Sequence, residues 1–172
     1  MFRGEKVTLR ALEPGDADAM YFCESEASKW EITSIAAPIS KYALRKYAEE
    51  YDADPIRAGQ IRLTIETRES EVSGFVDLFN IDPINRTAEV GIVIFSKFQR
   101  RGFATEALSL IERYAMLWLR LRTLSAKITC TNTESIGLFE KCGYAKAGTL
   151  KNWIATRNNF SDLYIYQKML DN

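Results

Sequence analysis

The chain has 172 residues, of which 47% are hydrophobic and 27% charged, enough apolar material for one sizeable core and a single domain over residues 1–172. Its 23 Lys and Arg balance 23 Asp and Glu, which excludes the global field that would attract nucleic acid or an anionic membrane, so any anion site must be local. The complete absence of histidine excludes a Ser-His-Asp or Cys-His centre, a zincin helix and most transition-metal sites, and no metal is expected.

The opening stretch MFRGEKVTLRAL lacks the apolar segment of a signal peptide. No apolar run reaches the roughly 18 residues of a membrane span, so a cytoplasmic protein is expected. KVTLRAL alternates as a short strand, and EPGDADAMYFCES reads as a helix with Pro14 and acidic residues in its first turn. A second helix fits SKYALRKYAEEY, capped by Ser40, with Ala43, Leu44, Tyr47, Ala48 and Tyr51 as its apolar stripe. QIRLTIET places Ile61, Leu63 and Ile65 on one strand face, and TRESE turns the chain into the strand VSGFVDLFN. After IDPINRT, the strand AEVGIVIF puts Ala88, Val90, Ile92 and Ile94 on one face and Glu89, Gly91 and Val93 on the other.

From Ala104 the period becomes helical, with Ala107, Leu108, Ile111, Tyr114, Ala115 and Trp118 as the buried stripe. TLSAKITC returns to alternation, NTESIGLFEKCGY is a short helix stopped by Gly143, and two strands around YAKAGTL and DLYIYQKM close the chain. The order β-α-α-β-β-β-α-β-α-β-β describes an α/β or α+β domain with a mixed sheet. The three cysteines, Cys23, Cys130 and Cys142, lack CxxC spacing and read as reduced, mostly buried thiols.

QRRGFATEAL, residues 99–108, is the stretch that carries chemistry. A strand passing through such a turn into a helix leaves several backbone N–H groups unpaired at one spot, and the helix dipole adds positive potential there. Gly102 lets a ligand approach closely, and Arg100 and Arg101 add charge. The place suits a pyrophosphate; the alternative is a solvated basic turn. Neither GxxxxGK[ST] nor a GxGxxG after an early strand is present.

QRRGFA, from Gln99 to Ala104, resembles the acetyl-CoA signature Q/R-x-x-G-x-G/A of the GCN5-related N-acetyltransferases, the GNAT family. The strand AEVGIVI, the helix from Ala104, the strand ending at Cys130 and NTESIGLFEKCGY follow in the family's order, so the resemblance covers essentially the whole chain. PINRTAEVGI and KNWIATRNNFSDLYIYQ are most similar to the branch with spermidine N-acetyltransferases and acetyltransferases of ribosomal-protein N-termini. The resemblance implies an α/β (α+β) fold: a GNAT-like mixed, mostly antiparallel sheet of about seven strands flanked by four helices.

It also implies the site. Acetyl-CoA, the expected cosubstrate, would lie where the strand carrying Glu89 splays from the strand ending at Cys130. Ile92, Val93 and Ile94 would then touch its pantetheine arm through backbone. The amides of Gln99, Arg100, Arg101, Gly102, Phe103, Ala104 and Thr105 would hold the pyrophosphate. Asn132 is carried over as a contact to the arm, with Ser135 and Lys141 near the cofactor. The alternatives are core for Ile92 and Ile94, a helix cap for Asn132 and surface charge for Lys141.

An acceptor amine would attack the thioester directly. An alkylamine of pKa near 10 is neutral only about one time in a thousand at pH 7, so a base assists. Glu89 is the candidate base, and a salt-bridged strand glutamate is its alternative. A backbone N–H near Ile94 would stabilise the oxyanion. Many members place a tyrosine acid where this chain has Phe139, which cannot donate a proton. The acceptor pocket of the family comes from the first two helices and the last hairpin, here offering Trp30, Glu31 and Trp153 for a cationic amine, with Glu24 and Glu26 near. Packing and rim roles are the alternative for these residues.

Two readings stay open. One is an N-acetyltransferase acting on a polyamine-like amine or a protein N-terminus. The other is an acyl-CoA-binding module with little catalysis, which Phe139 alone favours. The expected partners are acetyl-CoA and an amine, with no nucleic acid and no membrane. A homo-oligomer is consistent with the branch, and composition is silent on it.

Overall fold

A computed structural model of the chain describes residues 2–24, 38–156 and 159–170. Among these, eight strands form one sheet: β1 (Phe2–Arg3), β2 (Val7–Ala11), β3 (Ile61–Thr67), β4 (Val72–Asp82), β5 (Thr87–Ile94), β6 (Thr123–Thr129), β7 (Ala145–Ala155) and β8 (Phe160–Met169). Their spatial order is β1-β2-β3-β4-β5-β6-β8-β7. Every neighbouring pair is antiparallel except β5 and β6, as expected for a mixed sheet. The helices are α1 (Ala17–Glu24), α2 (Lys41–Glu49), α3 (Pro55–Ala58), α4 (Phe103–Leu117) and α5 (Thr133–Lys141).

Register assigns the two faces. On one face Leu9, Leu63, Ile65, Val76, Leu78 and Val90 pack with Ala107, Leu108, Ile111 and Ala115 of α4 and Phe139 of α5. This is the larger core, and α4 and α5 cover it. On the opposite face Phe75 and Phe95 pack with Met20 of α1 and with Leu44 and Ala48 of α2. The period-2 alternation of β4 and β5 feeds both layers, as the sequence requires.

Several details correct the sequence expectation. The sheet has one strand more than seven because Phe2–Arg3 pairs with β2. A further short helix, α3, forms because Asp54 accepts from the Ile56 and Arg57 amides and Pro55 stands in its first turn. The helix expected from Glu13 opens instead as a 3-10 turn, Pro14–Asp16, before α1. The long helix starts at Phe103 rather than Ala104. Trp118 is not in the buried stripe: it is the C-cap of α4 and is 72% exposed. Ala43 is exposed as well, leaving Leu44 and Ala48 as the buried positions of the short α2. The cysteines are all partly exposed rather than mostly buried, since Cys23 lies near the end of α1, Cys130 follows β6 and Cys142 caps α5.

A buried ion pair anchors α1 to the sheet. Arg10 of β2 grips Asp16 with two N–H groups, each at 2.8 Å, and Glu66 of β3 at 2.6 Å. Thr64 and the Glu13 amide donate to Asp16 as well, both at 2.9 Å. Burial alone would raise the Asp16 carboxyl, but the hydrogen bonds from Arg10, Glu13 and Thr64 outweigh it and hold the group below its ordinary value. A depressed carboxyl contributes stability that is present above the unfolded value, near 4, and is lost as pH falls through the folded one. Wild-type urea midpoints should therefore drop between pH 5 and 3, in the window set by the ~3.9 of an unfolded Asp. Asp16→Asn should be less stable at pH 7 and show a shallower acid loss.

Candidate active site

The parallel pair β5 and β6 does not stay paired. Thr87, Ala88 and Glu89 register with Thr123, Leu124 and Ser125, and no pairing beyond Glu89 is described. Yet β5 runs on to Ile94 against β4, and β6 runs on to Thr129 against β8. The strands therefore part as a wedge whose apex is Glu89. The β6-facing backbone edge of Val90–Ile94 is left for another extended chain to pair with, as in strand addition. The side chains of Ile92 and Ile94 meanwhile pack partly against the larger core, as the alternative reading expects, while their backbone lies beyond the last β5–β6 pair. Gln99 turns its side-chain amide back to the Ile94 carbonyl at 3.3 Å.

A close approach shapes the same stretch from behind. A Cβ on Gly74 of β4 would stand 2.0 Å from the Val93 carbonyl oxygen and 3.0 Å from the Ile94 Cα. Only glycine lets β5 take this path.

At the open end of the wedge the chain turns through Ser96–Phe98 and enters α4. Arg100 (φ 60) and Gly102 (φ 83) are in left-handed conformations. Gly102 is the N-cap and supplies no side-chain cap. The first helical hydrogen bond runs from the Glu106 amide to the Gly102 carbonyl at 3.2 Å. The amides of Phe103, Ala104 and Thr105 thus precede the helical ladder, in the arrangement that suits an anion. Glu106, the acidic residue of this first turn, points elsewhere. Its carboxylate accepts from the Glu5, Lys6 and Val7 amides at 2.5, 2.7 and 2.9 Å, tying the β1–β2 turn to the helix start. That turn brings Lys6, whose Nζ donates to the Arg101 carbonyl at 3.2 Å. Lys6 joins Arg100 and Arg101 as a third cation of the turn, one that sequence spacing could not reveal. The Arg101 guanidinium stacks over Phe98, and Arg100 reaches Glu134 of α5 at 3.9 Å.

Asn132 caps α5, its Oδ1 accepting from the Ser135 amide at 3.1 Å. The expected alternative role is therefore met, and Asn132 and Ser135 sit together at the helix start. Lys141 is at the other end of α5, exposed, and is not brought beside them. There Lys168 donates to the Cys142 carbonyl at 2.8 Å and to Glu112 of α4 at 2.6 Å. Phe139 is buried with its ring edge-on to Tyr144, centroids 4.9 Å apart. Burial pushes the Tyr144 phenol far above its ordinary value, and Glu112 adds to the shift. Burial likewise raises the Cys142 thiol, so both groups keep their protons at neutral pH.

Glu89 faces away from α4, on the α1–α2 side. Its carboxylate is 14% exposed and accepts from Asn80 Nδ2 at 2.8 Å and from Lys127 Nζ at 3.0 Å. The salt-bridged alternative is thus realised, and the partner, Lys127, comes from the opposite side of the wedge. Next to Asn80 lies a cavity of about 540 Å³ lined in part by Tyr47, Arg62, Asp77 and Phe79. Arg62 grips Asp77 with bonds of 2.7 and 2.8 Å, so the two charges of this pair offset each other. The Arg62 amide donates to the Tyr51 hydroxyl, and burial pushes that phenol up to about 12. Trp153 lies in an irregular stretch of β7 beside Asn152 (φ 51) and is 62% exposed. The β7–β8 hairpin stands near the open end of the wedge, where the Cys130 amide bonds the Asp162 carbonyl at 3.0 Å. Trp30, Glu31 and Glu26 lie outside the described residues.

These features fit the two demands of acetyl-CoA: an extended amide-bearing arm that can pair with a strand edge, and a pyrophosphate that seeks free N–H groups and cations. Among proteins of known sequence, the spermidine N(1)-acetyltransferase of Vibrio cholerae serotype O1 is 26% identical over 165 residues, 94% of this chain and 94% of that protein. The putative ribosomal N-acetyltransferase YdaF of Bacillus subtilis is 26% identical over 171 residues, 94% of this chain and 90% of that protein. The fold is shared with the spermidine N-acetyltransferase from Vibrio cholerae solved in complex with CoA and spermine, at a TM-score of 0.87 and 23% identity, covering 97% of both chains. Residues 6–145 match the acetyltransferase (GNAT) domain, and the chain accordingly belongs to the GNAT family and is an acetyl-CoA-dependent N-acetyltransferase.

Proposed function

We propose that the protein acetylates a primary amine, a polyamine-like small amine or a protein N-terminus, with Glu89 as the base. The observation that carries this reading is the wedge itself: β5 and β6 part at Glu89, which faces the side that α4 leaves open. When bound, acetyl-CoA supplies an electrophilic acyl carbon. Ile92, Val93 and Ile94 hold the arm along the strand edge, and the turn from Gln99 to Thr105, with Lys6, holds the pyrophosphate. Asn132 and Ser135 border the arm from the start of α5. On the other face Glu89 orients the acceptor ammonium and takes its proton, directly or through a water. The amide near Ile94 is the oxyanion donor. No acid acts from Phe139, and the thiolate, of ordinary pKa near 8.5, leaves without one.

Relatives named for spermidine and for ribosomal proteins keep both acceptor classes in view. On the described part of this face Asp77 is balanced by Arg62 and Glu89 by Lys127. That balance suits one ammonium at a time, lodged at Glu89. Release of CoA should be measured against a panel of spermidine, spermine, diamines, amino acids and short N-terminal peptides. Saturable turnover with one class would establish the acceptor. Binding of acetyl-CoA with none of these amines turned over would place the acceptor outside both classes.

Gly102→Val tests the pyrophosphate turn. A β-branched side chain at φ 83 costs about 1–2 kcal/mol of strain. Lys6 Nζ, 2.9 Å from the new Cβ, can swing away, so backbone strain dominates. The expected result is weaker acetyl-CoA binding by about tenfold, one 1.4 kcal/mol step, read by calorimetry.

A further inference from the structure

Lys127 is placed where an acceptor should be. It lies on β6 two residues beyond Ser125, the register partner of Glu89, just past the point where the strands part. Its side chain is 48% exposed, and its Nζ sits 3.0 Å from the Glu89 carboxylate. A lysine side chain is itself a primary alkylamine, the acceptor class of this enzyme. The position at Glu89 proposed for the substrate ammonium is therefore already held by an ammonium of the chain, on the rim of the gap that an acetyl group would enter. Among the described residues, the other lysines with charged partners are engaged elsewhere: Lys41 with Asp18, Lys46 with Glu50, Lys97 with Glu71, Lys151 with Asp162, Lys168 with Glu112. None of those carboxylates belongs to β5 or faces the wedge apex.

We infer that Lys127 is a self-acetylation site, the first acceptor the enzyme uses. Glu89 removes a proton from the Lys127 ammonium. The freed Nζ forms a bond to the acyl carbon of acetyl-CoA as the carbon–sulfur bond breaks. The CoA thiolate leaves and takes up the second proton of the nitrogen, relayed through a water, which leaves a neutral amide, and Glu89 releases its own proton to solvent. The sum is acetyl-CoA plus a lysine ammonium giving Nε-acetyl-lysine, CoA and one proton. The modification removes the charge that neutralises Glu89 and leaves the carboxylate to an incoming amine, so it converts a self-occupied site into a receptive one. This inference rests on the reading of Glu89 and the wedge as the acceptor side.

The test uses the full chain with acetyl-CoA carrying a heavy-isotope acetyl group and no added amine, followed by mass spectrometry of the peptide Thr123–Lys141. The heavy acetyl group should appear on Lys127, and excess free CoA should suppress it. Lys127→Arg keeps a cation beside Glu89 and should abolish the label. Glu89→Gln should slow labelling by about a hundredfold, the scale of a positioned base. An ordinary acetyl group already on Lys127 as purified, absent from Glu89→Gln, counts equally in its favour. Label spread over Lys46, Lys97 and Lys151 and indifferent to Glu89→Gln would mark chemical acetylation and overturn the inference. So would an unmodified Lys127 in a preparation that turns over external amines. If calorimetry finds no acetyl-CoA binding, the proposed function fails first, and the two failures are thereby distinguished.

Discussion

Glu89→Gln should lower kcat by about 10²- to 10³-fold, within the range a positioned base supplies, while acetyl-CoA affinity measured by calorimetry stays at the wild-type value. The substitution is nearly isosteric. Asn80 can still donate to the remaining carbonyl oxygen, so the local strand geometry is preserved. The protein loses only the charge that faces Lys127 and the acceptor. The split between kcat and cofactor affinity is the informative quantity. A general loss of folding would lower both, and loss of the base alone lowers kcat. Unchanged turnover would assign Glu89 to the Lys127 ion pair alone and remove it from the chemistry.

Gly74→Ala should have the next largest effect, and it needs no contact with either substrate. The added methyl group would meet the Val93 carbonyl at 2.0 Å and the Ile94 Cα at 3.0 Å. Both are backbone atoms that cannot rotate aside, so β5 must shift. Overpacking of this kind costs about 3 kcal/mol, visible as a lower urea midpoint. The displaced segment is the strand edge assigned to the acetyl-CoA arm. Turnover in the folded fraction should drop about a hundredfold, as expected for a misplacement near 1 Å. A variant that is destabilised but fully active would show that the edge from Val90 to Ile94 is not the surface that positions the cosubstrate.

The two effects have one structural origin. Glu89 and Val93 are on the same strand and face, yet they answer different demands: one ends the β5–β6 pairing and the other lies over a glycine. Packing of Phe75, Phe95 and Met20 on that face holds β5 rigid between them. The site is thus a defect in the sheet, stabilised by a core on each side. The left-handed conformations at Arg100 and Gly102 lie just beyond it, in the turn that would meet the anion.

Local patterns in the sequence were enough for most of the elements and for singling out the turn before α4. Alternation in 61–67 and 88–94, and the 3.6-residue period after 103, reflect burial of one face, which each segment expresses in its own residues. The stretch from Gln99 to Thr105 stood out because a glycine, two adjacent arginines and the onset of a helical period are consecutive in the chain. Trp118 was misplaced because periodicity does not mark where a helix ends. Phe2–Arg3 was missed because two residues carry no period. What only the tertiary structure decided are the relations between segments far apart in sequence. These are the point where β5 leaves β6, the approach of Gly74 to Val93, the arrival of Lys6 at the turn through Glu106, and the pairing of Glu89 with Lys127. A carboxylate carries the same signal in a sequence whether water, a substrate or a lysine from another strand faces it, and only packing chooses among them.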